Sequence, residues 1–270
     1  MQPLPINLSK PKSTALCVIA VLCSGSAAAD TLSSGVLTLN IDPAELAANF
    51  SLNTIAGIPS IYLEHYFDPA TAAQLTDSQI LNNDTPTNLL DWQANTILSN
   101  NLQFTVNGPS VAQFAGNQNQ PTTFSFDPSD LTGSASGQIG LSGDLRFRLD
   151  VNPPTNRMIT GDLTLGFDPT KEDQLPGLSG WTIYNNYSYN ADAYDLFNVT
   201  TTLTGNELNL AGTLALGSGV VPMKGTQDAV IGSFTFDASV ALPVPAAGKL
   251  FAGVLALAWL RSGLRSKTIG

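Results

Sequence analysis

The sequence predicts a mainly β protein: an antiparallel β-sandwich or jelly-roll-like body with a few N-terminal helices and one C-terminal transmembrane helix. Two observations predict the β body. Apolar and polar residues alternate from about residue 101 onward, and turn-forming residues separate the alternating runs. A third observation predicts the membrane helix, because a single apolar segment near the C-terminus ends in basic residues. Strands with one apolar face bury it between two packed sheets, and we therefore favour a sandwich.

The N-terminal part of this body contains both strand and helix patterns. Alternation over residues 37–41 predicts a first strand. Asp42 followed by Pro43 predicts a helix start, with the aspartate as N-cap and the proline at the first helical position. We expect two further helices, over residues 68–81 and 87–98.

The later part of the body reads as strands. The longest alternating runs, 139–151 and 159–167, flank an Asn-Pro-Pro turn and predict a long antiparallel hairpin. Runs 197–203 and 208–216 predict a second hairpin around Gly-Asn, and 230–240 predicts a last strand. Glycines within these strand patterns are expected to mark bulges or bends.

Charge is unevenly distributed along the chain. All 21 acidic residues lie between the two ends, against five basic residues in the same part, which gives the body a net charge of −16 with histidine neutral. Such a surface repels nucleic acid, so we expect no nucleic-acid partner. Both cysteines, Cys17 and Cys23, lie in the leader described next, so no disulfide or thiolate is expected in the processed chain.

The first 29 residues have the pattern of a secretory signal peptide. Lys10 and Lys12 supply a positive region, an apolar stretch follows at 13–23, and small residues lead to a cleavage site after Ala29. The apolar stretch is too short to span a membrane. We therefore divide the chain into a signal peptide (1–29), a mixed N-terminal part (30–100), a β part (101–241) and a C-terminal tail (242–270), and the two middle parts can form one domain.

The C-terminal tail has three features in order. It begins with a proline-containing motif, Leu242, Pro243, Val244, Pro245 and Ala246. An apolar segment follows, and the tail closes on basic residues that anchor it on the cytoplasmic side of a membrane: Arg261, Arg265 and Lys267.

This arrangement resembles a PEP-CTERM-type sorting signal in its Val-Pro-x-Pro-Ala variant. The tail departs from the family pattern in lacking the glutamate of Pro-Glu-Pro and in carrying Leu242 at the first position. The resemblance implies that an exosortase is a partner. It also implies anchoring in the inner membrane before processing, followed by transfer to the cell surface or extracellular matrix. The alternative is a plain C-terminal membrane anchor.

No catalytic residue is assigned from the sequence. His65 is the one histidine of the chain, which argues against a Ser-His-Asp hydrolase or a zinc site. No phosphate loop or dinucleotide fingerprint is present. We expect a protein that is not an enzyme and has no cofactor, with calcium as the alternative. Asp168, Glu172 and Asp173 are the candidate calcium ligands, although a solvated acidic turn explains them more simply.

The candidate ligand-binding residues are aromatic and lie among asparagines: Trp181, Tyr184, Tyr187, Tyr189 and Tyr194. Aromatic faces beside amide groups are typical of sugar-binding surfaces, because sugar rings offer apolar patches edged by hydroxyls. Burial of these aromatics in the core is the simpler interpretation and the one we favour, although they remain the best candidates for a site. A binding surface requires Trp181 and the tyrosines to be exposed on one face.

Three hypotheses for function follow. The favoured one is an exported cell-surface or extracellular-matrix protein with a structural or binding role and exopolysaccharide as a candidate partner. The second is a carbohydrate-active hydrolase that uses carboxylates, which requires two carboxylates facing each other in a cleft. The third is a calcium-dependent adhesin.

Overall fold

The computed structural model covers most of the chain between the two ends. The described residues are 30–51, 56–69, 75–76, 79–80, 97–111, 119–149, 157–187 and 190–241.

Twelve strands make up most of this part of the chain. They are β1 (Asp30–Ile41), β2 (Ile61–Phe67), β3 (Leu102–Val106), β4 (Ser125–Phe126), β5 (Gln138–Ser142), β6 (Asp144–Leu149), β7 (Arg157–Thr160), β8 (Thr164–Phe167), β9 (Leu178–Asn185), β10 (Ala191–Thr204), β11 (Glu207–Leu216) and β12 (Val230–Ala241). The helices of the described residues are short, and they include α1 (Pro43–Ala48), α2 (Leu131–Ser134) and a 3₁₀ helix (Ser218–Met223). The mainly β, antiparallel prediction is confirmed.

Eight of the strands form a closed antiparallel barrel. Their order around the barrel is β1-β12-β11-β10-β9-β8-β5-β3, and β3 pairs again with β1. Leu37 of β1 shows the closure directly, because it lies opposite Phe236 of β12 on one side and Phe104 of β3 on the other. All three side chains are fully buried inside the barrel. The short strand β4 adds to the first residues of β1.

The predicted sandwich or jelly roll is therefore wrong in its architecture. A sandwich and a barrel both need strands with one apolar face, so alternation along each strand does not distinguish them. The difference lies in how strands pair. Here the first strand, β1, pairs with both the last strand and β3, which leaves the eight-stranded ring without a free edge.

The long hairpin predicted over residues 139–167 is confirmed, but it is divided between two sheets. Its strands break at Gly143 on one side and near Asp162 on the other. The half made by β5 and β8 belongs to the barrel, and the half made by β6 and β7 joins β2 in a three-stranded sheet. Gly143 has a φ of 126°, which favours glycine, and a Cβ there would lie 2.9 Å from the Phe104 ring.

The second predicted hairpin is formed by β10 and β11, as expected. Its pairing is interrupted by a bulge between Phe197 and Thr200. Gly212 lies opposite this bulge, and a Cβ on it would lie 2.7 Å from the carbonyl oxygen of Phe197. The bulge therefore requires a glycine on the facing strand, as the strand pattern predicted.

Near the N-terminus, the predicted strand and first helix are both present. The Asp42 side chain accepts hydrogen bonds from the backbone N–H groups of Ala44 (2.8 Å) and Glu45 (3.2 Å), so it caps α1 as expected. Strand β2 was not predicted, and the residues of β9 were described from the sequence as an aromatic cluster without strand bounds. The helices expected over 68–81 and 87–98 lie mostly outside the described residues.

Within the described ranges, no helix has the length and apolar character needed to cross a bilayer. The predicted transmembrane helix, the sorting motif and the basic residues of the tail all lie outside the described residues.

Candidate functional site

Most of the predicted aromatic ligand-binding residues lie in the core. Trp181 is 1% exposed and packs against Phe124 and Phe167, with ring centroids 5.7 and 5.3 Å apart. Tyr187 and Tyr194 are buried as well. These three residues therefore do not meet the condition for a binding surface, exposure on one face, and burial in the core applies to them instead. Tyr189 lies outside the described residues.

Tyr184 is the candidate that lies on the outer wall. It shares strand β9 with Trp181, but three positions separate the two residues, and an odd separation puts side chains on opposite faces of a strand. Trp181 and Ile183 face the interior, whereas Tyr184 is half-buried on the outside. The sequence spacing shows that Trp181 and Tyr184 lie on opposite faces of a strand. Only the structure shows which of the two faces points into the barrel.

Tyr184 lines an open groove of about 380 Å³, referred to below as the Tyr184 groove, and Phe167 lines it as well. The groove runs across β5, β8 and β9 and the residues that follow β9. Besides the tyrosine, its polar lining is Gln138, Thr164, Asp168, Thr182, Asn186 and Asn190. The sequence prediction included Tyr184 here but missed Gln138 and Thr164, which come from other strands.

Hydrogen bonds hold the polar side chains of the groove in position. The Asn186 side-chain amide donates to the carbonyl oxygen of Asp162 (2.8 Å) and to Thr164 Oγ1 (3.3 Å). Thr164 is the register partner of Tyr184, so the asparagine and the ring are fixed relative to each other. The Gln138 amide donates to the carbonyl oxygen of Pro121 (3.4 Å).

Lys171 crosses the outer wall beside Tyr184. Its Nζ lies 5.6 Å from the centre of the tyrosine ring and donates to Asp192 Oδ2 (2.7 Å) and Asp195 Oδ1 (3.0 Å). Burial by itself lowers the pKa of Lys171, but the hydrogen bonds to the two carboxylates outweigh it and the pKa is raised. Burial also raises the pKa of Tyr184, and the Asp192 carboxylate adds to this. The lysine is therefore held charged next to a neutral phenol.

The candidate calcium ligands lie in the loop between β8 and β9. Asp168 Oδ1 accepts hydrogen bonds from the N–H (2.9 Å) and the hydroxyl (2.6 Å) of Thr170, which lower the pKa of Asp168. Glu172 and Asp173 are exposed. In the part of the chain that the structure describes, no three acidic, histidine or cysteine residues converge in a way that could hold a metal ion.

A buried ionic cluster lies on the three-stranded sheet. Glu64 of β2 forms ion pairs with three arginines, with N···O distances of 2.8 Å to Arg146, 2.9 Å to Arg148 and 3.2 Å to Arg157. Glu64, Arg146 and Arg148 are almost fully buried. His65 is half-buried and its ring lies 4.3 Å from that of Phe67. The cluster joins all three strands of this sheet, which indicates a structural role.

Two buried carboxyl groups meet where the long hairpin leaves the barrel. Asp144, the first residue of β6, and Asp162, between β7 and β8, are each 1% exposed. The backbone N–H of Asp162 donates to Asp144 Oδ1 (3.1 Å). Burial raises the pKa of Asp144 to about 8, with Asp162 contributing, and burial raises that of Asp162 to about 6. Two Gly-Asp-Leu triplets, one on each strand of the hairpin, are the sequence signal for this pair.

No protein-family model matches this chain, and no curated protein matches it. Among solved structures, the C-terminal domain of HtaA from Corynebacterium glutamicum is similar to it, with a TM-score of 0.40 and 10% identity. The likeness covers 78% of this chain and 99% of that domain. A likeness of this degree carries no argument about ligand or activity.

Proposed function

We propose that this chain is an exported cell-surface or extracellular-matrix protein that binds a neutral polysaccharide in the Tyr184 groove and does not catalyse a reaction. The observation that carries the proposal is an open groove lined by Tyr184 and Phe167 together with amide, hydroxyl and carboxylate side chains. Sugars present both an apolar C–H face and a ring of hydroxyls, and this groove offers a partner for each.

The polar groups around the ring support a carbohydrate rather than an apolar ligand. Gln138, Asn186 and Asn190 each carry an amide that can donate and accept, as sugar hydroxyls do. The bonds from Asn186 to Thr164 and to the Asp162 backbone hold that amide in place before a ligand arrives. A preformed site loses less side-chain entropy on binding.

Charge supports a neutral polymer as the ligand. The body of the chain carries a net charge of −16, and Asp168 lies in the groove itself. The nearby Lys171 is already hydrogen-bonded to two carboxylates. A polyanionic chain would therefore meet repulsion at this surface.

The groove lining supports binding without hydrolysis. Glycoside hydrolysis needs two carboxyl groups that flank the bond to be cleaved. Among the described residues that line the groove, Asp168 is the one carboxylate. Asp144 and Asp162 are buried and do not line it.

The export and sorting steps of the proposal rest on the two ends of the sequence. The leader supports secretion, and the tail, with its proline motif and terminal basic residues, supports recognition by an exosortase. Together these steps would bring the barrel to the envelope or matrix, where exopolysaccharide is available as a ligand.

The test uses the full-length chain, kept in solution with a mild detergent because of its apolar ends. Binding to a panel of neutral and acidic polysaccharides is measured by affinity electrophoresis and calorimetry. We expect binding to one or more neutral polymers, a loss of about tenfold or more in Tyr184→Ala, and retention in Tyr184→Phe. Asn190→Ala should weaken binding, whereas the control Asn209→Ala, on β11 away from the groove, should not.

Circular dichroism confirms that each variant is folded before its affinity is compared. Absence of binding to every neutral polymer would overturn the proposal. So would undiminished binding by a folded Tyr184→Ala variant, since the groove could not then be the site.

A further inference from the structure

The carboxyl groups of Asp144 and Asp162 do not line the Tyr184 groove and have no role in the function proposed above. It lies at the junction of the barrel and the three-stranded sheet, and both residues are 1% exposed. One contact between them is direct, the 3.1 Å hydrogen bond from the Asp162 N–H to Asp144 Oδ1.

The remaining carboxyl oxygens of the pair are buried without a hydrogen-bond donor. These are Asp144 Oδ2, Asp162 Oδ1 and Asp162 Oδ2, and no group among the described residues donates to them. Burying a polar oxygen without a partner costs about 1–3 kcal/mol, and more when the group is charged. Three such oxygens, on two residues that lie next to each other in space, indicate that a positively charged partner binds between the barrel and the three-stranded sheet.

No side chain in the described part of the chain supplies that charge. The ion pairs formed by described residues involve Glu64 or Lys171, and neither aspartate takes part in one. The position opposite Asp144 is Gly161, where even a Cβ would lie 1.9 Å from Asp144 Oδ1. A side chain at position 161 would therefore clash with the carboxyl group, so this neighbouring position cannot supply a cationic side chain.

We propose that Asp144 and Asp162 together bind one hard divalent cation of the calcium class at the junction between the barrel and the three-stranded sheet. Carboxylate oxygens are the ligands that such a cation prefers. One ligand comes from the start of β6 and the other from the link between β7 and β8. The bound cation would fasten the two strands of the long hairpin at the point where both change sheet.

The test measures stability with calcium and with chelator. Full-length protein in mild detergent is unfolded in urea with EDTA and refolded with either EDTA or excess Ca²⁺, because a buried site has to fill during folding. We expect calcium to raise the melting temperature by about 5 °C or more at saturation. Asp144→Asn and Asp162→Asn, which keep the side-chain shape, should each abolish the rise.

A matched control removes acidic groups from the surface. The double variant Asp168→Asn, Asp173→Asn changes two carboxylates of the β8–β9 loop and should keep the full calcium effect. Equilibrium dialysis with radioactive calcium in 150 mM KCl gives a second readout, and we expect about one site per chain that both junction variants lose.

Three results would overturn the proposal. One is a wild-type melting temperature that calcium does not change. Another is a calcium effect that persists in folded Asp144→Asn and Asp162→Asn variants. The third is loss of the effect in the surface double variant alone. In the first case a shared proton, rather than a cation, neutralises the pair. The sugar-binding test measures affinity for polysaccharides in variants of Tyr184 and Asn190, so its failure and the failure of this proposal are distinguishable.

Discussion

The Nζ of Lys171 lies 5.6 Å from the centre of the Tyr184 ring while it donates to Asp192 and Asp195 on the neighbouring strand. The lysine thereby joins the β8–β9 loop to β10 and covers the outer wall beside the groove. Its position links the stability of this part of the barrel to the shape of the proposed ligand site.

Replacing Lys171 with methionine should destabilise the protein. The substitution removes the charge that neutralises Asp192 and Asp195, and Asp195 is almost fully buried. We expect a loss of about 1–3 kcal/mol in the free energy of unfolding, measured by urea denaturation. Lys224→Met, at an exposed position, is the control and should change stability by less than about 0.5 kcal/mol. Equal effects in the two variants would contradict the prediction.

Replacing Glu64 with glutamine should have a larger effect. Three arginines share this one carboxylate, and two of them are almost fully buried. Removal of one partner of a buried ion pair costs about 3–5 kcal/mol, because the remaining charges stay buried. Urea denaturation measures the loss. Glu45→Gln, on the exposed side of α1, should be close to neutral. A loss below about 1 kcal/mol for Glu64→Gln would show that solvent reaches the cluster.

The pH dependence of stability should reveal the carboxyl pair when EDTA is present. The folded-state pKa values of Asp144 (about 8) and Asp162 (about 6) lie above the ordinary value of 3.8. The folded chain therefore holds these protons more tightly than the unfolded chain. This contribution to stability is complete below about pH 4 and is lost as the pH rises through about 6 and about 8.

Asp144→Asn, which cannot ionise, should accordingly gain stability relative to the wild type as the pH rises from about 4 to about 8. Urea denaturation at several pH values, with EDTA throughout, measures this difference. The pKa of Asp168 is lowered instead, by its hydrogen bonds to Thr170, so Asp168→Asn should not gain stability over this range. A constant difference between Asp144→Asn and the wild type would contradict the raised pKa.

Gly161→Ala should destabilise the hairpin for steric reasons. A Cβ at this position would lie 1.9 Å from Asp144 Oδ1, so the carboxyl group or the backbone has to move. We expect a cost of about 1–3 kcal/mol by thermal or urea denaturation. Gly166→Ala in β8 is a matched control, because the nearest atom to its Cβ would be 3.9 Å away. Similar losses of stability in the two variants would mean that the cost comes from restricting the glycine backbone and not from contact with Asp144.

The predicted sorting of the chain is tested by mass spectrometry of the processed protein. If an exosortase removes the tail, peptides from the barrel should be abundant, and no peptide that contains Trp259, which lies in the apolar segment of the tail, should be found in the mature form. Replacing Pro243 and Pro245 with alanine should leave the unprocessed, membrane-bound chain. A mature protein that retains Trp259 would favour the plain membrane anchor.

Much of the strand structure could be predicted from the sequence, because burial of one face imposes a period of two. The long hairpin, the second hairpin and the last strand follow the alternating runs closely. The start of α1 was equally predictable, since the cap depends on Asp42 and its near neighbours alone. Strand β2 was missed because all of its first four residues are buried, so it lacks a regular alternation.

The candidate site was only partly predictable. The cluster of aromatic residues around position 184 was visible, but which of them face the interior depends on which side of β9 turns inward. Gln138 and Thr164 come from strands distant in the sequence, and only barrel pairing brings them beside Tyr184. The contact between Asp144 and Asp162 likewise depends on the register of the hairpin.

The sequence by itself determined the mainly β character of the body, its acidic charge, the first helix and the approximate positions of most strands. These properties depend on residue type and on neighbours a few positions away. The tertiary structure alone decided that β1 closes a barrel, that Trp181 is buried while Tyr184 faces out, and that two aspartates meet at the junction of two sheets. Each of these depends on which strands pair and in what register, and many pairings satisfy the same alternation of apolar and polar residues.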